Sequence, residues 1–167
     1  MSGYYLLKPG VYGQMGRGTK LDPSVHPPFV SDLHFVFDAP PRDDLHASFP
    51  CFMVSHRLGR QITEAGLSGA ELGEVRIDID NQYLEDHPDT PNPDVFWLKV
   101  RGRSCIDDFG LDERGRLVVS EAAMQILRQF PLNDCRIYNG EHPPTPEETA
   151  KDARDRAKQV AEQLRRN

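Results

Sequence analysis

The chain has 167 residues, 38% of them from the hydrophobic set, which suits one domain with a real core and not a disordered chain. Its 20 Lys+Arg against 26 Asp+Glu give a net charge of −6, the wrong sign for a sequence-independent nucleic-acid binder. Apolar runs such as Tyr4–Leu7, Cys51–Val54 and Val95–Leu98 are four residues long against the ~20 of a membrane span, Lys8-Pro9-Gly10 leaves no room for a signal-peptide core, and three scattered cysteines (Cys51, Cys105, Cys135) suit reduced thiols in the cytoplasm.

In chain order, Tyr4–Leu7 reads as a short strand and residues 9–28, rich in Gly and Pro, as loop. Leu33, Phe35 and Phe37 alternate with His34 and Val36, which predicts a half-buried strand. A polar stretch over 42–48 leads to a strand over 49–54. Val75, Ile77 and Ile79 alternate with Arg76, Asp78 and Asp80, a strand with one wet face. Residues 81–94 hold Pro88, Pro91 and Pro93 and read as loop. Val95–Val100 is an aromatic strand with Phe96, Leu98 and Val100 on one face and Trp97 on the other, followed by turn residues over 101–116.

Two segments are alike. A shift of 65 residues lays Phe52 on Leu117, Val54 on Val119, Ser55 on Ser120, Ile62 on Leu127, Leu67 on Leu132 and Leu72 on Ile137. Each copy reads strand, Ser N-cap, helix, turn, strand. Ser accepts from the orphan amides of a first helical turn, the apolar residues fall on one helical face, and Gly66 suits the left-handed residue that ends a helix. The expected fold is α+β: two related strand–helix–strand units around a mixed or antiparallel sheet, one domain over 1–143, then a charged, Ala-rich helix over 144–167. Thr145 caps that helix, with Pro146 at its first position. Ala150, Ala153, Ala157, Val160 and Leu164 form its 3-4 seam, which favours a terminal helix laid on its own domain or partly frayed and leaves a dimerisation helix, in a homodimer or a larger structural assembly, as the other reading.

Sites of known chemistry do not assemble. Gly13, Gly16 and Gly18 are followed by Thr19-Lys20, the reverse of a phosphate-loop order. Asp108-Phe109-Gly110 spells a kinase tripeptide without the other kinase elements. Asp78-Ile79-Asp80 opens like a calcium loop, but Tyr83 and Asp89 stand where Gly and Glu are needed. The histidines and cysteines have no zinc spacing. Neither cofactor nor metal is expected. Cys51 with His46 or His56 is the rival enzyme reading, and a thiol inside a strand is more often a core residue.

The acidic run from Asp78 to Asp94 has no Lys or Arg. It suits solubility, or else a docking surface for a basic protein, with Asp80, Glu85, Asp86 and Asp89 steering and Tyr83 as aromatic anchor. Asp107 and Asp108 are second candidates.

The segments Phe52-Met-Val-Ser55…Glu64-Ala-Gly-Leu-Ser-Gly69 and Leu117-Val-Val-Ser120-Glu…Ile126-Leu127 resemble the repeated pattern of a bacterial group of polymorphic-toxin immunity proteins. The Tyr-Tyr-Leu-Leu start and Phe96–Val100…Asp107-Asp108-Phe109-Gly110 resemble members placed beside it. The resemblance covers residues 4–138 and leaves out the C-terminal helix. It implies a cytosolic, non-enzymatic protein that binds one cognate toxin tightly. It transfers a fold and a partner class, not a binding site. An acidic inhibitor suits a basic toxin such as a nuclease.

Overall fold

A computed structural model of the protein describes residues 3–139 and 146–166. The elements in order are β1 (Tyr4–Lys8), β2 (Gly13–Met15), β3 (Lys20–Asp22), β4 (Phe29–Asp32), β5 (His34–Phe37), β6 (Leu45–Ser48), β7 (Cys51–Ser55), α1 (His56–Glu64), β8 (Ala70–Gly73), β9 (Arg76–Ile79), α2 (Asn81–Asp86), β10 (Val95–Val100), β11 (Phe109–Leu111), β12 (Leu117–Ser120), α3 (Glu121–Leu127), β13 (Arg136–Asn139) and α4 (Pro146–Arg166). The fold is α+β. Among the described residues, no helix is long and apolar enough to cross a membrane.

The duplication inferred from the 65-residue shift is present in three dimensions. One four-stranded sheet has the order β6-β7-β10-β8 and another the order β11-β12-β1-β13. The registers also match. Val95 faces Ser55 and Leu98 faces Leu72 in the first sheet, as Tyr4 faces Ser120 and Leu7 faces Ile137 in the second. Laying Tyr4 on Val95 and Leu7 on Leu98 shows that the repeating unit has a leading strand, β1 or β10, ahead of the hairpin, helix and return strand. Each leading strand lies in the sheet of the other unit. The units are therefore interlocked, and neither sheet is complete without a strand from the other half of the chain.

The helix starts repeat in chemical detail. The Ser55 hydroxyl accepts from Leu58 N at 3.2 Å and donates to Asp44 Oδ2, while Ser55 N donates to Asp44 O at 2.8 Å. In the second unit Ser120 accepts from Ala123 N at 3.1 Å, donates to Asp108 Oδ1 at 2.6 Å, and its N–H reaches Asp108 O at 2.8 Å. An Asp before the hairpin thus orients each Ser cap, so the hydroxyl uses its donor and its acceptor at once. Gly66 ends α1 at φ +65°, the left-handed conformation the sequence calls for.

Two apolar layers follow from strand alternation. Phe52, Val54 and Leu98 point from the first sheet toward Leu58, Ile62, Ala123, Met124 and Leu127 of the helices and Leu7, Leu117 and Val119 of the second sheet. Cys51, Met53 and Trp97 point the other way, onto Phe35 and Phe37 of a three-stranded sheet of order β2-β5-β9, with Tyr12 and Tyr83. The split of Phe96, Leu98 and Val100 from Trp97 is as expected.

Several segments read as loop are ordered pairs of strands or helix. β2 and β3 fall within 9–28, β6 within 42–48 and β11 within 101–116. α2 occupies the start of the proline-containing 81–94 segment. The glycines around β2 have a packing reason: a Cβ at Gly13 would lie 2.0 Å from Val36 O, and one at Gly16 would lie 2.2 Å from His34 Nδ1. The expected Thr145 cap lies outside the described residues. In α4 the seam residues Ala150, Ala157, Val160 and Leu164 are exposed, and Val160 shares the wall of a cleft with Tyr12, Arg42 and Asp134.

Candidate protein-binding surface

α2 starts because the Asp80 carboxylate accepts from Tyr83 N at 2.8 Å, an N-cap hydrogen bond on the first turn. Helical geometry then turns Tyr83 and Leu84 to different sides. Tyr83 is 1% exposed and belongs to the core with Phe35, Phe37 and Trp97, so the expected aromatic anchor is a buried structural residue. Leu84, 49% exposed, is the apolar residue that this stretch presents to solvent. Strand-like alternation says nothing about which of two adjacent residues faces out. Only the six-residue helix, unrecognised among the prolines, decides it.

Glu85, Asp86 and Asp89 are exposed beside Leu84, with Asp86 accepting from the Gln82 side chain at 2.9 Å. Asp80 is partly buried at the cap. Burial raises the Asp38 carboxyl above its ordinary range, and the Asp80 charge adds to the rise. Asp94 continues the acidic edge and pairs with His56 Nε2 at 3.1 Å, where the imidazole stacks on Phe96 with centroids 4.0 Å apart.

Asp107 and Asp108 serve the fold. Asp107 accepts from Arg103 N at 2.8 Å. Asp108 is the cap-orienting residue of the second unit and also accepts from Ser68 N at 2.9 Å. Burial raises the Asp108 carboxyl, but the hydrogen bonds from Ser120 and Ser68 outweigh it and hold the group below the usual carboxylate range. Of the expected binding residues, the structure gathers Glu85, Asp86 and Asp89 on one exposed segment, with Asp80 at its base.

The trio behind the enzyme reading is dispersed. Cys51 lines a cavity of about 200 Å³ with Phe29, Pro50, Trp97 and Lys99, and neither His46 nor His56 reaches it. Burial pushes the Cys51 thiol up to about 12, the opposite of an activated nucleophile. His46 is 1% exposed among the rings of Tyr12, Phe35 and Phe37, and neither nitrogen has a hydrogen-bond partner among the described residues. Burial pushes it down to about 4, against the weaker upward pull of the Asp44 charge. Among the described residues, no group of three or more His, Cys, Asp or Glu is placed to hold a metal ion.

A second histidine is ordered in full. Gly18 N donates to His34 Nδ1 at 3.0 Å, which leaves the ring proton on Nε2, 2.5 Å from Asp78 Oδ2. Both ring nitrogens are engaged, and the glycine loop over 16–18 is the wrapping of this imidazole. No protein-family model matches the chain, and no curated protein matches it.

Proposed function

We propose that the protein is a non-catalytic protein-binding module that acts in the cytoplasm as an immunity protein, neutralising a cognate bacterial toxin by direct contact. The observation that carries the reading is the α2 segment. An exposed Leu84 stands beside the exposed carboxylates of Glu85, Asp86 and Asp89, in a chain of net charge −6. An apolar centre with a charged surround is how a docking epitope combines affinity with fast, steered encounter. A basic toxin is the fitting partner, since carboxylates at that edge stand in for the phosphates such a toxin binds. The repeated strand–Ser–helix pattern that resembles the immunity group supports the same reading, because its residues are the caps and cores of a doubled scaffold.

The test is protection. The neighbouring open reading frame is expressed under a tight promoter with and without this chain, and growth and co-purification are followed together. Rescue with a stoichiometric complex is expected. The charge-reversed variant E85K/D86K/D89K is expected to associate more slowly, most of all at low salt. A neighbour that is harmless, or whose toxicity this chain does not relieve, overturns the immunity reading. A reversed variant with an unchanged on-rate overturns the role of α2 alone.

A further inference from the structure

Exposed apolar side chains also collect at a place remote in sequence from α2. Val25 and Phe29 come from the β3–β4 hairpin, and Phe49 from the turn before β7. Pro27 and Phe49 meet over Gly115, where a Cβ would lie 3.0 and 2.9 Å from them. Beside this patch lies the cavity of about 200 Å³ already noted for Cys51, walled by Val25, Pro27 and Phe29 on the hairpin side and by Pro50 and Trp97 on the sheet side. That is room for one large side chain and less than the ~300–1,000 Å³ of a typical small-molecule site.

The charged residues in the cavity lining are Lys99 and Arg101, both cations. Lys99 Nζ sits 4.8 Å from the centroid of the Trp97 ring, and the Arg101 guanidinium 5.8 Å from that of Phe29. Arg101 also pairs with Glu71 at 3.0 Å, and about half of each of these two side chains is exposed. Stacking on the rings holds both cations at the mouth of an apolar slot within a chain that is acidic as a whole. Their sign is opposite to that of α2, so the two surfaces select different segments.

We propose that this groove is a docking site for a protein partner's segment that presents one large apolar side chain with carboxylates beside it. The side chain fills the slot between the hairpin and the sheet, and the carboxylates meet Lys99 and Arg101. The inference stands on the groove alone and does not depend on the immunity reading.

The probe is a fluorescein-labelled peptide, Gly-Ser-Asp-Asp-Phe-Asp-Ser-Gly, titrated into the isotope-labelled full chain with backbone amide shifts as readout. Saturable shifts are expected at Val25, His26, Phe29 and Val30, at 97–101 and at Leu111. Replacing the peptide's Phe by Ala, or its Asp residues by Lys, is expected to weaken binding about fivefold or more, and raised salt to weaken it further. On the protein, Phe29→Asp and the pair Lys99→Glu/Arg101→Glu are each expected to cost about tenfold. Two variants on different elements guard against a folding defect in either. The proposal is overturned if no saturable shifts appear at the groove, or if the Lys peptide binds as well as the Asp peptide. It is equally overturned if the groove shifts appear with protein concentration alone, which would make a second copy of the chain the occupant.

Discussion

His46 makes acid stability a sharp test of how the core is built. The imidazole is enclosed by Tyr12, Phe35 and Phe37 with neither nitrogen hydrogen-bonded, and burial holds its pKa at about 4 against an ordinary 6.5. Between those two values the unfolded chain binds a proton that the folded chain refuses. Stability contributed by the neutral ring is therefore complete above pH 6.5 and is lost as the pH falls through the native value. At ~1.4 kcal/mol for each tenfold change in the proton equilibrium, the loss is about 2 kcal/mol by pH 5 and about 3 kcal/mol at pH 4.

His46→Leu removes the titrating group while keeping an apolar side chain of similar size. At pH 7 it deletes an unpartnered buried donor, worth about 1–3 kcal/mol, and forfeits ring-edge contacts of about 0.5–1.5 kcal/mol each. Those terms oppose, and the variant should lie within about 2 kcal/mol of the parent there. Urea unfolding of both proteins at half-unit steps from pH 7.5 to 4.5 gives the quantity that matters, their difference. Asp108 loses its native advantage in acid equally in both proteins and drops out, and Asp44 does so except for the smallest part of its depression, which comes from the His46 charge itself. The variant should gain on the parent by about 2 kcal/mol between pH 7 and 5. A difference that stays flat over that range would refute the reasoning, since it would mean the ring is protonated, or its nitrogens satisfied, inside the folded protein.

Ser55→Ala and Ser120→Ala should each cost about 1–2 kcal/mol in urea unfolding, and the double variant about the sum, since each cap serves its own helix. Gly69 has φ +89° and a Cβ there would lie 2.0 Å from Phe109 O, so Gly69→Ala should cost about 2–4 kcal/mol by the same measurement. With a chromogenic disulfide reagent at pH 8, exposed Cys105 should react at once and Cys51 only as the chain unfolds; fast labelling of a Cys105→Ser protein at Cys51 would contradict its burial. Deleting residues 1–9 removes β1, which pairs with β12 on one side and β13 on the other, and should abolish the cooperative transition of the whole chain.

What was legible in the sequence was what repeats or alternates. Ser55 and Ser120, Phe52 and Leu117, Leu72 and Ile137 stand at one offset because the same cap and the same layer are built twice, and Leu33, Phe35 and Phe37 reveal their face by period two. The parts hidden from it depend on contacts distant in the chain. Leu45–Ser48 follows Arg42-Asp43-Asp44 and contains His46 and a terminal Ser, so it reads as polar, yet pairing with β7 and burial against Tyr12 make it a strand. Gly13, Gly16 and Gly18 look like loop because the residue they accommodate, His34, comes 16 positions after Gly18. Tyr83 looks like an anchor because its ring is aromatic and its neighbours are acidic. Its inward direction follows from a cap bond between Asp80 and its own amide that fixes a helix of six residues.

The same comparison separates scaffold from surface. Between β1 and β6 the first unit carries residues 9–44, while between β10 and β11 the second carries only 101–108. The link between β8 and β10 adds β9 and α2. Those two additions, with no counterpart among the described residues of the second unit, supply the covering sheet β2-β5-β9, the β3–β4 hairpin and the acidic helix. Leu84, Val25 and Phe29 all lie on them, whereas the repeated residues Ser55, Ser120, Leu58 and Ala123 are caps and core. Interlocking explains the division. A leading strand held inside the sheet of the opposite unit makes the doubled scaffold intolerant of change. The added segments pack on it from outside, leaving their outward side chains free to vary. Substitutions of outward side chains at 20–29 and 84–94 are accordingly expected to leave urea-unfolding stability nearly unchanged and, if the two proposals hold, to change binding, while substitutions in the repeated positions change stability first.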